Sequence, residues 1–298
     1  MGHSANNSSN ERLRYHVEGN NLAQEGRLSE AIDKWELSLK ELPDFAPTHF
    51  NLGVAYFQTR ELAKAINHFE RVLAVEPDHT DANYGVGLAY YDQGLFPKAL
   101  AAFQRVLKFN PEHAEALNNV GLLLAQQQNY HEALQHFLKA SRVRPDYADA
   151  YYNIGTTQFE LGQYGEGINS FREVIRIHPD YAMAYHNMGL CRFGLQDYDE
   201  AEQAFLMTIK LAPEHLPAYF NLGLVYYHWQ HYKEALDTYL EAGTKGFENP
   251  LLHYHLGLTY DALGDRTHAE KEWETVLRSG DQAGLLAQEI RKRMAEWN

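Results

Sequence analysis

Apolar residues along most of the chain are spaced three and four positions apart, as in Ala133, Leu134, Phe137 and Ala140. This spacing places the apolar side chains on one face of an α-helix and therefore predicts a succession of amphipathic helices. Prolines recur between the apolar segments. A proline lacks an amide hydrogen and clashes with the preceding turn, so each one is expected to end a helix and begin a short connector. The pattern predicts two helices per unit.

The pattern repeats every 34 residues without an insertion. Eight glycines lie at this spacing: Gly19, Gly53, Gly87, Gly121, Gly155, Gly189, Gly223 and Gly257. An aromatic residue lies sixteen positions after each glycine: Trp35, Phe69, Phe103, Phe137, Phe171, Phe205, Tyr239 and Trp273. Six prolines follow eight positions later, from Pro43 to Pro213, and Phe247 interrupts the series. Glycine inside a helix costs roughly 1 kcal/mol relative to alanine, so its recurrence indicates that two helix backbones approach closely there.

Glycine, aromatic residue and proline at these offsets resemble the tetratricopeptide repeat (TPR) family over about residues 12–281. The resemblance implies an all-α fold, a right-handed α-solenoid (superhelix) of eight 34-residue TPR helix pairs. The repeats are expected to start near residues 12, 46, 80, 114, 148, 182, 216 and 250. In this family the first helix of each pair lines a concave groove, and the second helix lies mostly outside.

The two ends of the chain differ from the repeats. Residues 1–11 are rich in serine and asparagine and are predicted to be a disordered, polar N-terminus without the apolar segment of a signal peptide. Residues 282–298 carry apolar residues along one helical face, which predicts a C-terminal capping helix over the last repeat. No apolar run approaches the length of a membrane span, so membrane insertion is not expected.

A file of asparagines is the strongest functional feature of the sequence. When the recurring glycine is numbered as position 8 of each repeat, five repeats have an asparagine at position 6, here called the asparagine file: Asn51, Asn119, Asn153, Asn187 and Asn221. In the resembling family this position faces the groove. An asparagine amide can pair with the C=O and the N–H of one peptide unit. Helices packed roughly 8–10 Å apart would place one amide at about every third residue of an extended chain.

The asparagine file resembles the asparagine ladder in the TPR superhelix of eukaryotic O-GlcNAc transferase, whose transferase domain has no counterpart here. The resemblance implies that the groove holds the backbone of an extended peptide and leaves the choice of sequence to flanking groups. The alternative is that these amides only bond to neighbouring helices or bridge them through water. Both interpretations remain open at the level of the sequence.

The columns next to the asparagine file are predicted to be aromatic and acidic. The aromatic candidates are Tyr84 and Tyr152 at position 5, and Phe159, Phe193 and Tyr227 at position 12. These rings could stack on a ligand or accept a cation, or they could pack between repeats. The acidic candidates at position 2 are Asp81, Glu115 and Asp149. Lysine and arginine are absent from positions 2, 5, 6, 9, 12 and 13, so the predicted ligand is a basic or neutral extended segment of a partner protein.

Composition narrows the class of partner and the location. The formal net charge is −14 at pH 7, and such a surface repels phosphate groups, so neither nucleic acid nor an anionic membrane is an expected partner. Cys191 is the only cysteine among the 298 residues. No intrachain disulfide can therefore form, which is consistent with a reducing, cytoplasmic location.

The repeats occupy nearly the whole chain, so no segment remains for a catalytic domain. The sequence predicts a non-enzymatic interaction scaffold or adaptor without a cofactor or metal ion. One alternative is a structural scaffold in which copies of the chain assemble into a homo-oligomer through exposed aromatic residues. A more remote alternative is a zinc-binding or enzymatic protein that uses His228 and His231, which lie three positions apart.

Overall fold

The structure of the chain is a computed structural model that describes residues 13–278 and 284–297. Within those residues every regular element is an α-helix, and there are seventeen of them. Contacts between Cα atoms divide the chain into two compact units, Met1–Pro145 and Asp146–Asn298, here called the first unit and the second unit. The predicted disordered N-terminus, residues 1–11, lies outside the described residues.

The helices follow one another in pairs. The first unit contains α1 (Arg14–Gln24), α2 (Leu28–Glu41), α3 (Ala46–Gln58), α4 (Leu62–Val75), α5 (Thr80–Asp92), α6 (Phe96–Phe109), α7 (Ala114–Gln126) and α8 (Tyr130–Val143). The second unit contains α9 (Ala148–Glu160), α10 (Tyr164–Ile177), α11 (Ala182–Gly194), α12 (Tyr198–Leu211), α13 (Leu216–His228), α14 (Tyr232–Thr244), α15 (Pro250–Ala262), α16 (Arg266–Arg278) and α17 (Gly284–Ala295). A turn of three residues joins the two helices of each pair. The predicted all-α fold of eight helix pairs is confirmed.

The last helix, α17, covers the end of the eighth pair. Ile290 is fully buried and belongs to the same apolar cluster as Trp273 and Val276 of α16. The ring of Trp297 stacks on Trp273 with 5.4 Å between centroids. The predicted capping helix is therefore present, and residues 282, 283 and 298 of the predicted capping segment lie outside the described residues.

The recurring glycines receive the recurring aromatic rings. A Cβ atom built on the first six of these glycines would lie only 2.5–2.9 Å from the ring of the aromatic residue sixteen positions later. A Cβ atom on Gly155, for example, would lie 2.7 Å from the fully buried ring of Phe171. The predicted close approach is therefore a contact between a helix backbone and a ring, rather than a contact between two backbones, and a larger residue would push the ring away.

The turn inside each pair contains one residue in the left-handed backbone conformation. This residue lies at position 15 of every repeat, with φ between 62° and 83°: Gly26, Arg60, Gly94, Gln128, Gly162, Gln196, Gln230 and Gly264. A left-handed residue just after the end of a helix reverses the direction of the chain. The second helix of each pair can therefore fold back on the first, and equivalent positions of the first helices lie on one face of each unit.

Candidate peptide-binding surface

The asparagine file occupies half-buried positions on the first helices of the repeats. Three of its amides donate a hydrogen bond from Nδ2 to the side chain at position 5 of the preceding repeat. The three pairs and their donor–acceptor distances are Asn119–Tyr84 (3.2 Å), Asn187–Tyr152 (3.0 Å) and Asn221–His186 (3.4 Å). Each bond joins two successive repeats, so it fixes the orientation of the amide plane.

Asn51 follows a different pattern because the first repeat differs in sequence. Its Nδ2 donates to Oδ1 of Asn20 at 2.8 Å, and this oxygen also accepts a bond from Nε1 of Trp35 at 3.0 Å. Asn20 lies at position 9, whereas position 6 of the first repeat is Val17. The asparagine file therefore begins with an asparagine pair that is anchored to the core tryptophan.

The bonds between repeats use only part of each amide. Within the described residues, Oδ1 of Asn119 and Oδ1 of Asn187 accept no hydrogen bond, and each Nδ2 makes a single bond. One N–H donor and one carbonyl acceptor therefore remain on each of these side chains. Such a pair matches the C=O and N–H of one peptide unit. Asn153 is half-buried at the equivalent position of the fifth repeat.

Two of the side chains that accept these bonds, those of Tyr84 and His186, are uncharged near neutral pH. Burial raises the pKa of the Tyr84 phenol above its ordinary value. Burial, together with the neighbouring His215, lowers the pKa of the His186 imidazole to about 4. A neutral imidazole has one unprotonated nitrogen, and His186 can therefore accept the Asn221 N–H at Nε2.

The rings at position 5 pack against a second row of side chains. This row was not among positions 2, 5, 6, 9, 12 and 13, which were the ones considered from the sequence. This row lies at position 34, in the connector just before the next first helix. The ring pairs and their centroid distances are Phe50–His79 (5.1 Å), Tyr84–His113 (4.8 Å), Tyr152–Tyr181 (5.4 Å) and His186–His215 (4.7 Å). Aromatic or histidine residues occupy this position in the first six repeats, from Phe45 to His215, and that spacing was the available signal.

The aromatic candidates at position 12 pack inside their own repeats, and Phe193 and Tyr227 also contact a histidine of the next repeat. Each ring lies beside the tyrosine that begins the second helix of the pair. The pairs and their centroid distances are Phe159–Tyr164 (5.5 Å), Phe193–Tyr198 (6.1 Å) and Tyr227–Tyr232 (5.5 Å). The three candidates are half-buried, so a ligand could reach one side of each ring at most.

The acidic candidates at position 2 fall into two kinds. Asp81 and Asp149 are exposed. Glu115 instead forms an ion pair with Arg144, and Nδ1 of His113 lies 3.2 Å from its other carboxylate oxygen. Arg144 comes from the connector after α8, outside the six columns that lack basic residues. The acidic row is therefore partly neutralised at Glu115.

The histidines considered as zinc ligands contact aromatic rings. His228 lies edge-on to Phe193 with 5.3 Å between centroids, and His231 stacks on Trp229 at 4.5 Å. Across residues 13–278 and 284–297, no three histidine, cysteine, aspartate or glutamate side chains are grouped as metal ligands. In the same residues, no helix is both long enough and apolar enough to span a bilayer.

Comparisons with known proteins identify the repeats. Residues 50–112, 87–148 and 121–182 match one tetratricopeptide repeat model, and residues 180–242 match a second one. A search of curated proteins gives no match.

Several solved structures have the same fold. The chain is similar to pilF of Pseudomonas aeruginosa, with a TM-score of 0.61 and 20% identity over 73% of this chain and 97% of that chain. It is similar to MamA, with a TM-score of 0.52 and 27% identity over 54% of this chain and 94% of that chain. It is also similar to YrrB, a TPR protein with an unusual peptide-binding site, with a TM-score of 0.56 and 20% identity over 62% of this chain and 95% of that chain.

Proposed function

Because this chain belongs to the tetratricopeptide repeat family, we propose that it is a non-enzymatic interaction scaffold that holds an extended segment of a partner protein along its first helices. The asparagine file supplies the main contacts with the backbone of that segment. The exposed Asp81 and Asp149 favour a segment that is basic or neutral.

The observation that carries this proposal is that the amides of Asn119 and Asn187 each make a single hydrogen bond within the described residues. The bond from Asn187 to Tyr152 fixes one asparagine and leaves a donor and an acceptor side by side. Because the amide is already oriented, little side-chain freedom is lost when a peptide binds. The bonds also show that these asparagines join neighbouring repeats, so the joining role and the binding role must be separated by experiment.

The fold of YrrB supports a peptide ligand by analogy. That protein is described as having a peptide-binding site, and its fold matches 62% of this chain. The likeness concerns the fold, and the choice of residues rests on the asparagine file of this chain.

The test begins with a peptide of defined sequence. A library of random 12-residue peptides is screened against the intact chain, and the tightest binder is measured by fluorescence anisotropy. We expect the double variant Asn187→Ala and Asn221→Ala to weaken binding at least about tenfold, because each lost peptide hydrogen bond contributes about 0.5–1.5 kcal/mol. N-methylation of alternate backbone amides of the peptide should weaken its binding to the parent protein in the same way.

The matched control removes the bonds between repeats and keeps the asparagines. The double variant Tyr152→Phe and His186→Phe does this, and phenylalanine already occupies position 5 at Phe50 and Phe220. We expect this control to lower the melting temperature and to weaken peptide binding less than the double asparagine variant does, because the amides lose their fixed orientation but keep their contacts with the peptide. If both double variants lose the same amount of stability and of affinity, or if N-methylation has no effect, the asparagine file only joins repeats and the proposal is wrong.

A further inference from the structure

The turns inside the helix pairs differ between the two units. Position 14, the C-cap residue directly after the first helix, is polar throughout the first unit: Glu25, Thr59, Gln93 and Gln127. In the second unit the same position is always apolar, and these four residues are called the turn row: Leu161, Leu195, Trp229 and Leu263. Two of them, Leu195 and Leu263, are 44% and 37% exposed.

The position of the turn row follows from the fold. Each member is the C-cap of a first helix, in α9, α11, α13 and α15, and directly precedes the left-handed residue of its turn. Equivalent turns of stacked helix pairs lie side by side, roughly 8–10 Å apart. The four side chains therefore follow one edge of the second unit over about 24–30 Å.

Aromatic rings lie between the first three members of the turn row. The ring of Tyr198 lies 6.4 Å from the ring of Trp229 in the next repeat. The ring of Tyr164 lies against the backbone of the next first helix, where a Cβ atom on Gly194 would be 2.8 Å from it. The first three members of the row and these rings thus form an apolar strip, and contiguous exposed apolar surface in a folded protein marks a site of interaction.

Acidic residues accompany the first two members of the turn row. Glu160, Glu166, Asp199 and Glu200 are exposed and lie in or beside the same turns. Residues 146–298 contain 12 lysines and arginines against 23 aspartates and glutamates, whereas residues 1–145 contain 14 against 17. Most of the negative charge of the chain is therefore carried by the unit that carries the apolar strip.

We propose that the turn row docks an amphipathic helix of a partner protein that is apolar on one face and basic on the other. The apolar face covers the leucines and Trp229, and its lysines or arginines meet the surrounding carboxylates. At a rise of 1.5 Å per residue, a row of about 24–30 Å fits a helix of about 16–20 residues. The excess negative charge of this unit repels a second copy of the unit and an anionic membrane, so neither is the expected ligand of the strip.

The test uses an intact chain in which the turn row is made to resemble the first unit. The triple variant Leu161→Gln, Leu195→Gln and Leu263→Gln introduces the residue already present as Gln93 and Gln127. The probe is a fluorescent 18-residue helix of leucine and lysine with its leucines on one face. We expect the triple variant to bind this probe at least about tenfold more weakly than the parent, and we expect a leucine–glutamate helix of the same pattern not to bind the parent.

The matched control changes three exposed leucines of second helices in the same unit. The variant Leu206→Gln, Leu211→Gln and Leu240→Gln should bind the leucine–lysine helix as tightly as the parent does. If the two triple variants weaken binding equally, or if neither weakens it, the turn row is not the docking site. The asparagine file is unchanged in both variants, so this test is independent of the proposed peptide-binding function.

Two other occupants give distinct results. If light scattering shows that the parent dimerises and that the turn-row variant is monomeric, the strip binds a second copy of the chain. If the parent sediments with vesicles of phosphatidylcholine and the turn-row variant does not, the strip binds a lipid surface. Either result would overturn the assignment of a basic partner helix.

Discussion

Four residues with a side chain adopt the backbone conformation that glycine adopts at the same turn in the other four repeats. Arg60, Gln128, Gln196 and Gln230 have φ between 62° and 66°. In this region the Cβ atom of an L-residue crowds its own carbonyl oxygen, which costs roughly 1–2 kcal/mol. The turn geometry is evidently imposed by the packing of the two helices, because it is the same with and without glycine.

We expect Gln128→Gly to raise the free energy of unfolding by about 0.5–1 kcal/mol, since the relief of this strain exceeds the greater freedom of glycine in the unfolded chain. Urea unfolding followed by circular dichroism measures the change. The neighbouring residue is the control, because Gln127 has an ordinary φ of −84°, and Gln127→Gly should lower stability by about 0.5–1 kcal/mol. A loss of stability in both variants would show that the turn is not strained.

Within a helix pair, the contact between a ring and a glycine sets the distance between the two helices. Each ring lies directly on the backbone of the partner helix, and most of the largest fully buried side chains of the chain are these rings. Two glycines of the fifth repeat allow a matched comparison. Gly155 lies under Phe171, whereas a Cβ atom on Gly165, in the first turn of α10, would meet no atom within 4 Å.

We expect Gly155→Ala to lower the free energy of unfolding by about 1–3 kcal/mol, because the added methyl group would overlap the fully buried ring of Phe171. Gly165→Ala should instead raise stability by about 0.5–1 kcal/mol, the helix propensity gained by adding a methyl group in open space. Thermal and urea unfolding of the two variants decide the matter. A stabilising Gly155→Ala would mean that the ring does not control the packing.

The sequence predicted the helices and a close approach at each recurring glycine because both depend on spacing along the chain, but it assigned that approach to two helix backbones, whereas the structure places a ring on the glycine. It did not predict that Arg144 pairs with Glu115, or that His215 lies against His186, since these side chains come from connectors whose direction is not set by helical periodicity. The bond between Asn187 and Tyr152 depends on how one pair is rotated relative to the next, which a column of residue types does not specify. The peptide contacts of the asparagine file stay a prediction.

Across the whole molecule, burial keeps several histidines uncharged. The pKa values of His68, His186 and His255 are each lowered to about 4, mainly by burial and partly by a neighbouring histidine. Their ordinary value is 6.5, so between pH 6.5 and 4 the unfolded chain binds more protons than the folded chain. The stability that neutral histidines provide is complete above pH 6.5 and is lost as the pH falls through this range.

We expect the free energy of unfolding to fall between pH 7 and pH 5, with His186 contributing about 2 kcal/mol to the fall. His186→Tyr should reduce the fall by about that amount, because a phenol does not titrate between pH 5 and pH 7. Tyrosine already occupies the equivalent position of the preceding repeat, as Tyr152. The control is His178→Asn, which changes an exposed histidine to the residue found at the equivalent position, Asn110. Urea unfolding at both pH values measures the effect. If the free energy of unfolding falls as much in His186→Tyr as in the parent, the prediction is wrong.

The contact between each glycine and its ring joins residues only sixteen positions apart. Bringing the ends of so short a loop together costs little chain entropy, and chains whose contacts are mostly local fold rapidly. Any of the eight helix pairs can therefore act as the starting point for folding, with neighbouring pairs added in either direction. During synthesis, the early repeats can acquire their cores before the ribosome has made the later ones.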